Sequence, residues 1–154
     1  MKVKIKKFHK DAVLPKRATE LAGGWDVVVT EIIKESDDFV ICNLGFGLQP
    51  PDNYKITLVP RSSLTKTHWI LQNSPGLGDA DFVNEYSFRF RCIPFKIDSG
   101  FGNVRDSFIF EPFPYKVGDR IGQIYLEEVI PIEFEEVEEL TKTQRTGGWG
   151  STDK

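Results

Sequence analysis

Short runs of β-branched and aromatic residues, broken every few positions by Gly, Pro, Asn or Asp, recur along most of the chain: residues 27–33, 39–44, 54–59, 86–97, 107–110 and 121–134. Such runs suit a pleated, half-buried surface, and turn residues at this spacing predict the strands of an all-β sandwich or barrel. Helical periodicity is scarce. Only residues 61–69 offer a helix of a few turns, opened by serines that favour capping. The pattern therefore predicts an all-β, jelly-roll-like sandwich or barrel with one short helix. Beyond the last strand, the acidic run Glu135-Glu136-Val137-Glu138-Glu139-Leu140 reads as a solvated linker. Residues 141–154 then form a glycine-rich C-terminal arm, distinct from a β domain over residues 1–140.

That arm carries the first sign of chemistry. In Arg145-Thr146-Gly147-Gly148-Trp149-Gly150-Ser151-Thr152 the glycines leave backbone amides free to approach an anion, while one flat ring interrupts them. The combination suits a nucleotide, with phosphates on the glycines and a base under Trp149. Three glycines in eight residues bury little, so a packed core is not its purpose. A disordered polar tail that happens to contain a tryptophan is the alternative that the segment leaves open by itself.

Composition narrows the partners. The chain has 154 residues, 40% of them hydrophobic, which is enough for one domain with a real core. No apolar run is long enough to cross a bilayer, and the amino terminus alternates lysine with Val3 and Ile5 rather than presenting a signal-peptide core. A cytoplasmic location, or the host cytoplasm for a viral protein, and no membrane partner are expected. A net charge of −3 argues against coating nucleic acid. Cys42 and Cys92 lie in apolar stretches without metal-ligand spacing and read as buried thiols.

Five segments in order carry a family resemblance. Ala22-Gly23-Gly24-Trp25-Asp26-Val27, Pro60-Arg61-Ser62-Ser63-Leu64, Gln72-Asn73 followed by Gly76-Leu77-Gly78-Asp79-Ala80-Asp81-Phe82, Gly118-Asp119-Arg120-Ile121-Gly122-Gln123 and the arm itself resemble the five motifs of the trimeric dUTPases. Each is weak alone, but five in sequence over most of the chain are hard to produce by chance. The resemblance implies a jelly-roll-like β-clip, a homotrimer with shared sites, and Mg2+-assisted hydrolysis of dUTP to dUMP and pyrophosphate, which keeps uracil out of DNA and supplies dUMP. It further implies that one subunit supplies the first, second and fourth motifs, a neighbour the third, and the remaining subunit the arm.

Carried over residue by residue, the resemblance makes Asp79 the catalytic carboxylate that activates water for attack on the α-phosphorus. Without it, Gly78-Asp79-Ala80-Asp81 is equally good turn chemistry. Arg61, Ser62, Ser63 and Gln123, joined from the arm by Arg145, Gly148, Ser151 and Thr152, would bind phosphates. An arginine fork and adjacent hydroxyls suit that task, although a surface arginine beside a helix cap would look the same. Asn73 and the strand backbone at Leu77 and Gly78 would match uracil's alternating acceptors and imide donor, a match cytosine cannot make. In the family the tight hairpin leaves no room for a thymine methyl. Phe82 stands for the tyrosine that packs on deoxyribose, and Trp149 for the phenylalanine over the base. Asp26 would support Mg2+ through water as an outer-shell residue, or be no more than an acidic turn residue.

Several positions depart from the family pattern. Gly78 replaces an isoleucine or valine, Phe82 lacks the tyrosine hydroxyl, and Arg145 sits one place later than the usual arginine. Residues 90–115 are longer than the family requires between the third and fourth motifs, and their Pro and Gly content predicts an extended hairpin or loop. Gly78 and this longer segment are the features that would fit a second reading, a nucleotide-binding regulatory protein with weak or no hydrolysis. The related dCTP deaminases share the fold and the Arg-Ser-Ser motif but use a glutamate in the third-motif region and lack this aspartate with this tail.

Overall fold

In β-sheets side chains alternate between faces, and here that alternation sets which residues fill the interior. The computed structural model describes residues 1–96 and 108–144. Along them run β1 (Lys4–Lys7), β2 (Trp25–Val28), β3 (Glu31–Lys34), β4 (Phe39–Asn43), β5 (Phe46–Gln49) and β6 (Tyr54–Pro60). A 3-10 helix (Ser62–Lys66) follows, and then β7 (Trp69–Leu71), β8 (Gly76–Gly78), β9 (Ser87–Cys92), β10 (Phe95–Lys96), β11 (Phe108–Ile109) and β12 (Arg120–Glu128). One sheet has the order β2-β12-β6-β8 and the other β3-β4-β9-β7; β1 pairs with β5, and β10 with β11. All of these pairings are antiparallel. No described helix is long and apolar enough to cross a membrane.

The two large sheets bury their facing sides against each other. Val27, Ile56, Leu58, Ile121 and Ile124 come from the first, and Val40, Cys42, Phe88 and Phe90 from the second. Each such side chain taken out of water stabilises the fold by about 1.5–3 kcal/mol before its entropy cost. The approach is close at Gly122, where a β-carbon would run into the Phe88 ring and stand 2.9 Å from the Val59 carbonyl oxygen. The jelly-roll-like all-β fold expected from the run pattern is the observed one. Cys42 and Cys92 are free, buried thiols, and burial pushes Cys42 up to about 12.

Several boundaries differ from the sequence expectation, each for a local reason. The run 27–33 is two strands in different sheets. Between them Val29 donates to the Asp119 carbonyl at 3.0 Å and Thr30 to that of Asn43 at 2.9 Å, so the chain changes layers at this corner. The run 86–97 breaks after Cys92, because Ile93 donates to His68 and Pro94 has no N–H. The run 107–110 contributes a two-residue strand, which pairs Phe95 with Ile109 and Lys96 with Phe108 as the stem of the expected hairpin. Residues 97–107, on which the rest of that expectation falls, lie outside the described residues. The run 121–134 starts one residue early and stops at Glu128, where Val129 turns to the Asn53 carbonyl.

The helix expected over 61–69 is shorter and of 3-10 type. Its flanking residue Arg61 makes no side-chain cap, while Thr65 and Thr67 hydroxyls bond back to the Ser62 and Leu64 carbonyls at 2.6 and 2.8 Å. Those bonds tighten the turn and end it, and Trp69 then enters β7. Trp69 donates its indole N–H to the Glu111 carbonyl at 2.9 Å, which pins the chain returning from the long segment onto the second sheet.

Candidate active site

A carboxylate carried into a sheet interior needs partners, because an unpaired buried charge is costly. Asp26 on β2 is such a group, 6% exposed and opposite Gln123 of β12. Its Oδ2 accepts from Arg120 Nη1 at 2.9 Å, and its Oδ1 accepts from Gln123 Nε2 at 3.1 Å. Arg61, just beyond β6, brings Nε to 3.8 Å from Oδ1 and donates through Nη1 to the Arg120 carbonyl at 3.3 Å. One carboxylate thus organises two guanidinium groups that keep part of their surface in solvent, leaving the cluster with net positive charge. Ser62 and Ser63 follow Arg61 and are exposed, with Ser63 Oγ 3.3 Å from Tyr115 Oη. The arrangement suits an anion with several oxygens, since fork-shaped donors remain on its outer side.

The same donor set decides what metal it could serve. Among the described residues no group of three or more His, Cys, Asp or Glu side chains comes together. Asp26 already accepts from Arg120 and Gln123, so it offers no protein cage. It fits an ion held by phosphate oxygens and water, with the carboxylate reached through a water molecule, which is the coordination Mg2+ prefers.

The third-motif residues form a second cluster. Gly76–Gly78 pairs with β6 and ends the first sheet, so among the described residues one side of its backbone is an unpaired edge that offers N–H and C=O groups in alternation. A cleft of about 490 Å3 runs along it, lined by Asn73, Gly76, Leu77, Phe82, Tyr86 and Arg89 among others. The Asn73 amide lies over Gly76, its Nδ2 3.6 Å from where a β-carbon of Gly76 would be. Leu77 is exposed. Asp79 follows the strand and is also exposed, and the turn it opens is closed by Phe82 N donating to its carbonyl at 3.1 Å. Phe82 then sets its ring edge-on to Tyr86, centroids 5.2 Å apart.

Tyr86 also accounts for the departure at Gly78. A β-carbon there would run into Tyr86 Oη and stand 2.5 Å from its Cε1. Glycine is therefore set by packing: the tyrosine ring fills the space that a branched residue at position 78 would take.

The two clusters are far apart within one chain. Asp26 and Gly78 sit on opposite edges of the β2-β12-β6-β8 sheet, three strand spacings or roughly 14 Å across. Along the strands, Gly78 is opposite Ile56, and Arg61 lies five residues further on, roughly 17 Å at the usual rise. The structure brings Asp26, Arg61 and Gln123 together, with Ser62 and Ser63 adjacent, and it separately gathers Asn73, Leu77, Gly78, Asp79 and Phe82. It does not join the two groups. Arg145, Gly148, Trp149, Ser151 and Thr152 lie outside the described residues.

Two side chains join this picture without having been singled out by the sequence. Arg120 lies inside the fourth segment, where its contact with Asp26 could have been inferred only from the pairing of β12 with β2. Tyr86 lies beyond the third segment, and its only signal was an unexpected glycine eight positions earlier.

No protein-family model matches the chain. The deoxyuridine 5'-triphosphate nucleotidohydrolase of Helicobacter pylori strain J99 is 33% identical over 155 residues, an alignment that covers 99% of this chain and 97% of that protein. Among solved structures, the dUTPase of Staphylococcus bacteriophage 80alpha in complex with dUpNHpp superposes with a TM-score of 0.75 at 20% identity, covering 99% of this chain and 98% of that one. A point mutant of the dUTPase from phage phi11 of S. aureus, which coordinates a structural Mg(II) ion, superposes at 0.72 with 17% identity, covering 92% and 100%.

Proposed function

This chain belongs to the dUTPase family, and from that membership we propose that it hydrolyses dUTP to dUMP and pyrophosphate at sites assembled between copies of itself. The observation that carries the reading is the division of the site residues into an anion-binding cluster and a base-binding edge, each suited to one half of a nucleotide. In one chain the two lie apart, and the cleft beside β8 is lined by none of Asp26, Arg61 and Gln123. A homotrimer solves this by setting the Asp26-Arg61-Gln123 cluster of one subunit against the β8 edge of a neighbour, three times around a closed ring.

In such a site uracil lies against β8, its imide N–H and carbonyls matched by the edge backbone of Leu77 and Gly78 and the amide of Asn73. Phe82 packs on the deoxyribose, leaving no space for a 2′-hydroxyl. Asp79 takes a proton from a water molecule as that water's oxygen attacks the α-phosphorus. The bond from the α-phosphorus to the bridging oxygen breaks, and pyrophosphate leaves with the electron pair. Arg61, Ser62, Ser63 and Gln123 hold the phosphates in line and offset the charge developing on them. Asp26 would hold Mg2+ through water, and the ion would supply charge neutralisation on the phosphates.

Residues 141–154 form the arm that closes over the bound nucleotide of another subunit. Arg145, Gly148, Ser151 and Thr152 contact the phosphates, and Trp149 stacks on the base, a contact worth roughly 1–3 kcal/mol per base where it has been measured in single-strand binders.

The test is pyrophosphate release from dUTP, dCTP, dTTP and UTP with Mg2+, beside an Asp79→Asn variant. Release from dUTP alone, abolished in the variant, is the expected outcome. Tight dUTP binding without release would overturn the reading.

A further inference from the structure

Tyr86 has a feature the mechanism above does not use. It is 3% exposed, and its Oη is a buried side-chain oxygen without a hydrogen-bond partner among the described residues. Folded proteins rarely leave such a group unpaired, so one that persists calls for a reason. The side chain is not free to turn away. Its backbone is fixed on both sides, Tyr86 N donating to the Phe46 carbonyl at 3.0 Å and Leu44 N donating to the Tyr86 carbonyl at 3.0 Å. Its ring is held edge-on by Phe82. The hydroxyl emerges at Gly78, in the space that any β-carbon there would fill, directly beside the turn that carries Asp79. Burial pushes the phenol up to about 12, and the Asp79 carboxylate adds to the rise, so Tyr86 keeps its proton at neutral pH and senses that carboxylate.

We propose that Tyr86 is a positioning residue for Asp79, whose phenolic O–H, admitted by Gly78, donates a hydrogen bond to the Asp79 carboxylate when substrate closes the site. The inference rests on the hydrolytic reading above and deepens it. In the free chain Asp79 is exposed. Catalytic hydrogen bonds commonly tighten only in the substrate complex, when water is displaced. A donor on one carboxylate oxygen fixes the orientation of the other towards the attacking water. It also favours the charged carboxylate, so the base stays ionised to lower pH. Phe82, which has no hydroxyl of its own, serves in this arrangement as the edge that holds the Tyr86 ring in place.

Tyr86→Phe removes one oxygen and leaves the ring. Because that oxygen has no hydrogen-bond partner among the described residues, the variant should melt at or above the temperature of the parent. Its kcat for dUTP should fall about 10-fold with KM nearly unchanged, the pattern for a group acting in the transition state alone. The acid limb of its kcat–pH profile should move up by about one unit, because the carboxylate has lost a donor that favours its charged form. A kcat and acid limb equal to the parent's would overturn the proposal, as would a clear loss of melting temperature, which would make the hydroxyl a structural one. If the parent itself releases no pyrophosphate from dUTP, the hydrolytic reading fails and takes this inference with it. If the parent is active, Asp79→Asn is inactive and Tyr86→Phe matches the parent, only the role of Tyr86 fails.

Discussion

Asp26 shows how a single side chain can set the charge of a site it need not touch. Its carboxylate is buried, and its contacts with Arg120, Gln123 and Arg61 fix three donor-bearing side chains that come from separate parts of the sequence. Arg120→Ala should therefore do two things at once. It leaves a buried oxygen short of a donor, which should lower unfolding free energy by about 1–3 kcal/mol in denaturant titration. On the proposed reading it also removes a guanidinium from beside the phosphates, which should raise KM for dUTP. A variant as stable as the parent would show that Asp26 does not depend on this partner. At this scale the sequence singled out Asp26, Arg61, Asn73 and Asp79 by residue types at family spacing. It was silent on Arg120 and Tyr86, whose importance comes from what lies across a sheet or under a strand rather than from their own neighbours in the chain.

Between elements, the deciding quantity is how closely the two sheets approach. Two positions near the site are glycine because aromatic rings of the neighbouring segment occupy the space: Gly78 against Tyr86 and Gly122 against Phe88. At Gly78, where the resemblance has isoleucine or valine, the ring fills the volume the branched side chain would have taken. Gly78→Ala should then cost about 1–3 kcal/mol, the usual range for forcing atoms into a filled core. Adding Tyr86→Leu should recover part of that cost, so that the double variant is more stable than the sum of the two single changes predicts. Simple additivity in denaturant titration would contradict the packing account.

The same scale explains which strands were legible. Runs of Val, Ile and Phe such as β4 and β6 declared themselves. β8 did not, because Gly-Leu-Gly has little strand preference and is held in place by pairing with Ile56–Leu58. β1, nearly all lysine and isoleucine on the surface, is set by β5, with Lys4 opposite Gln49 and Lys7 opposite Phe46. The corner at Val29 and Thr30 was invisible because a run of apolar residues does not say when it changes sheets.

For the whole molecule, the central claim is that no single chain carries a complete site. Asp26 lies on β2 at one edge of the first sheet and the base-binding strand β8 forms the other edge, with Asp79 at the far end of β8 from Arg61. The proposed site has the nucleotide bridge two copies. The most direct test is complementation between two inactive variants, Arg61→Ala and Asp79→Asn, co-expressed and purified as mixed oligomers. A site drawing its phosphate cluster from one copy and its catalytic carboxylate from another is intact only when the first is an Asp79→Asn subunit and the second an Arg61→Ala subunit. Random assembly of equal amounts should then restore about one quarter of parental dUTP hydrolysis, although each variant alone is inactive. Mixed oligomers as inactive as either variant alone would contradict a site shared between subunits.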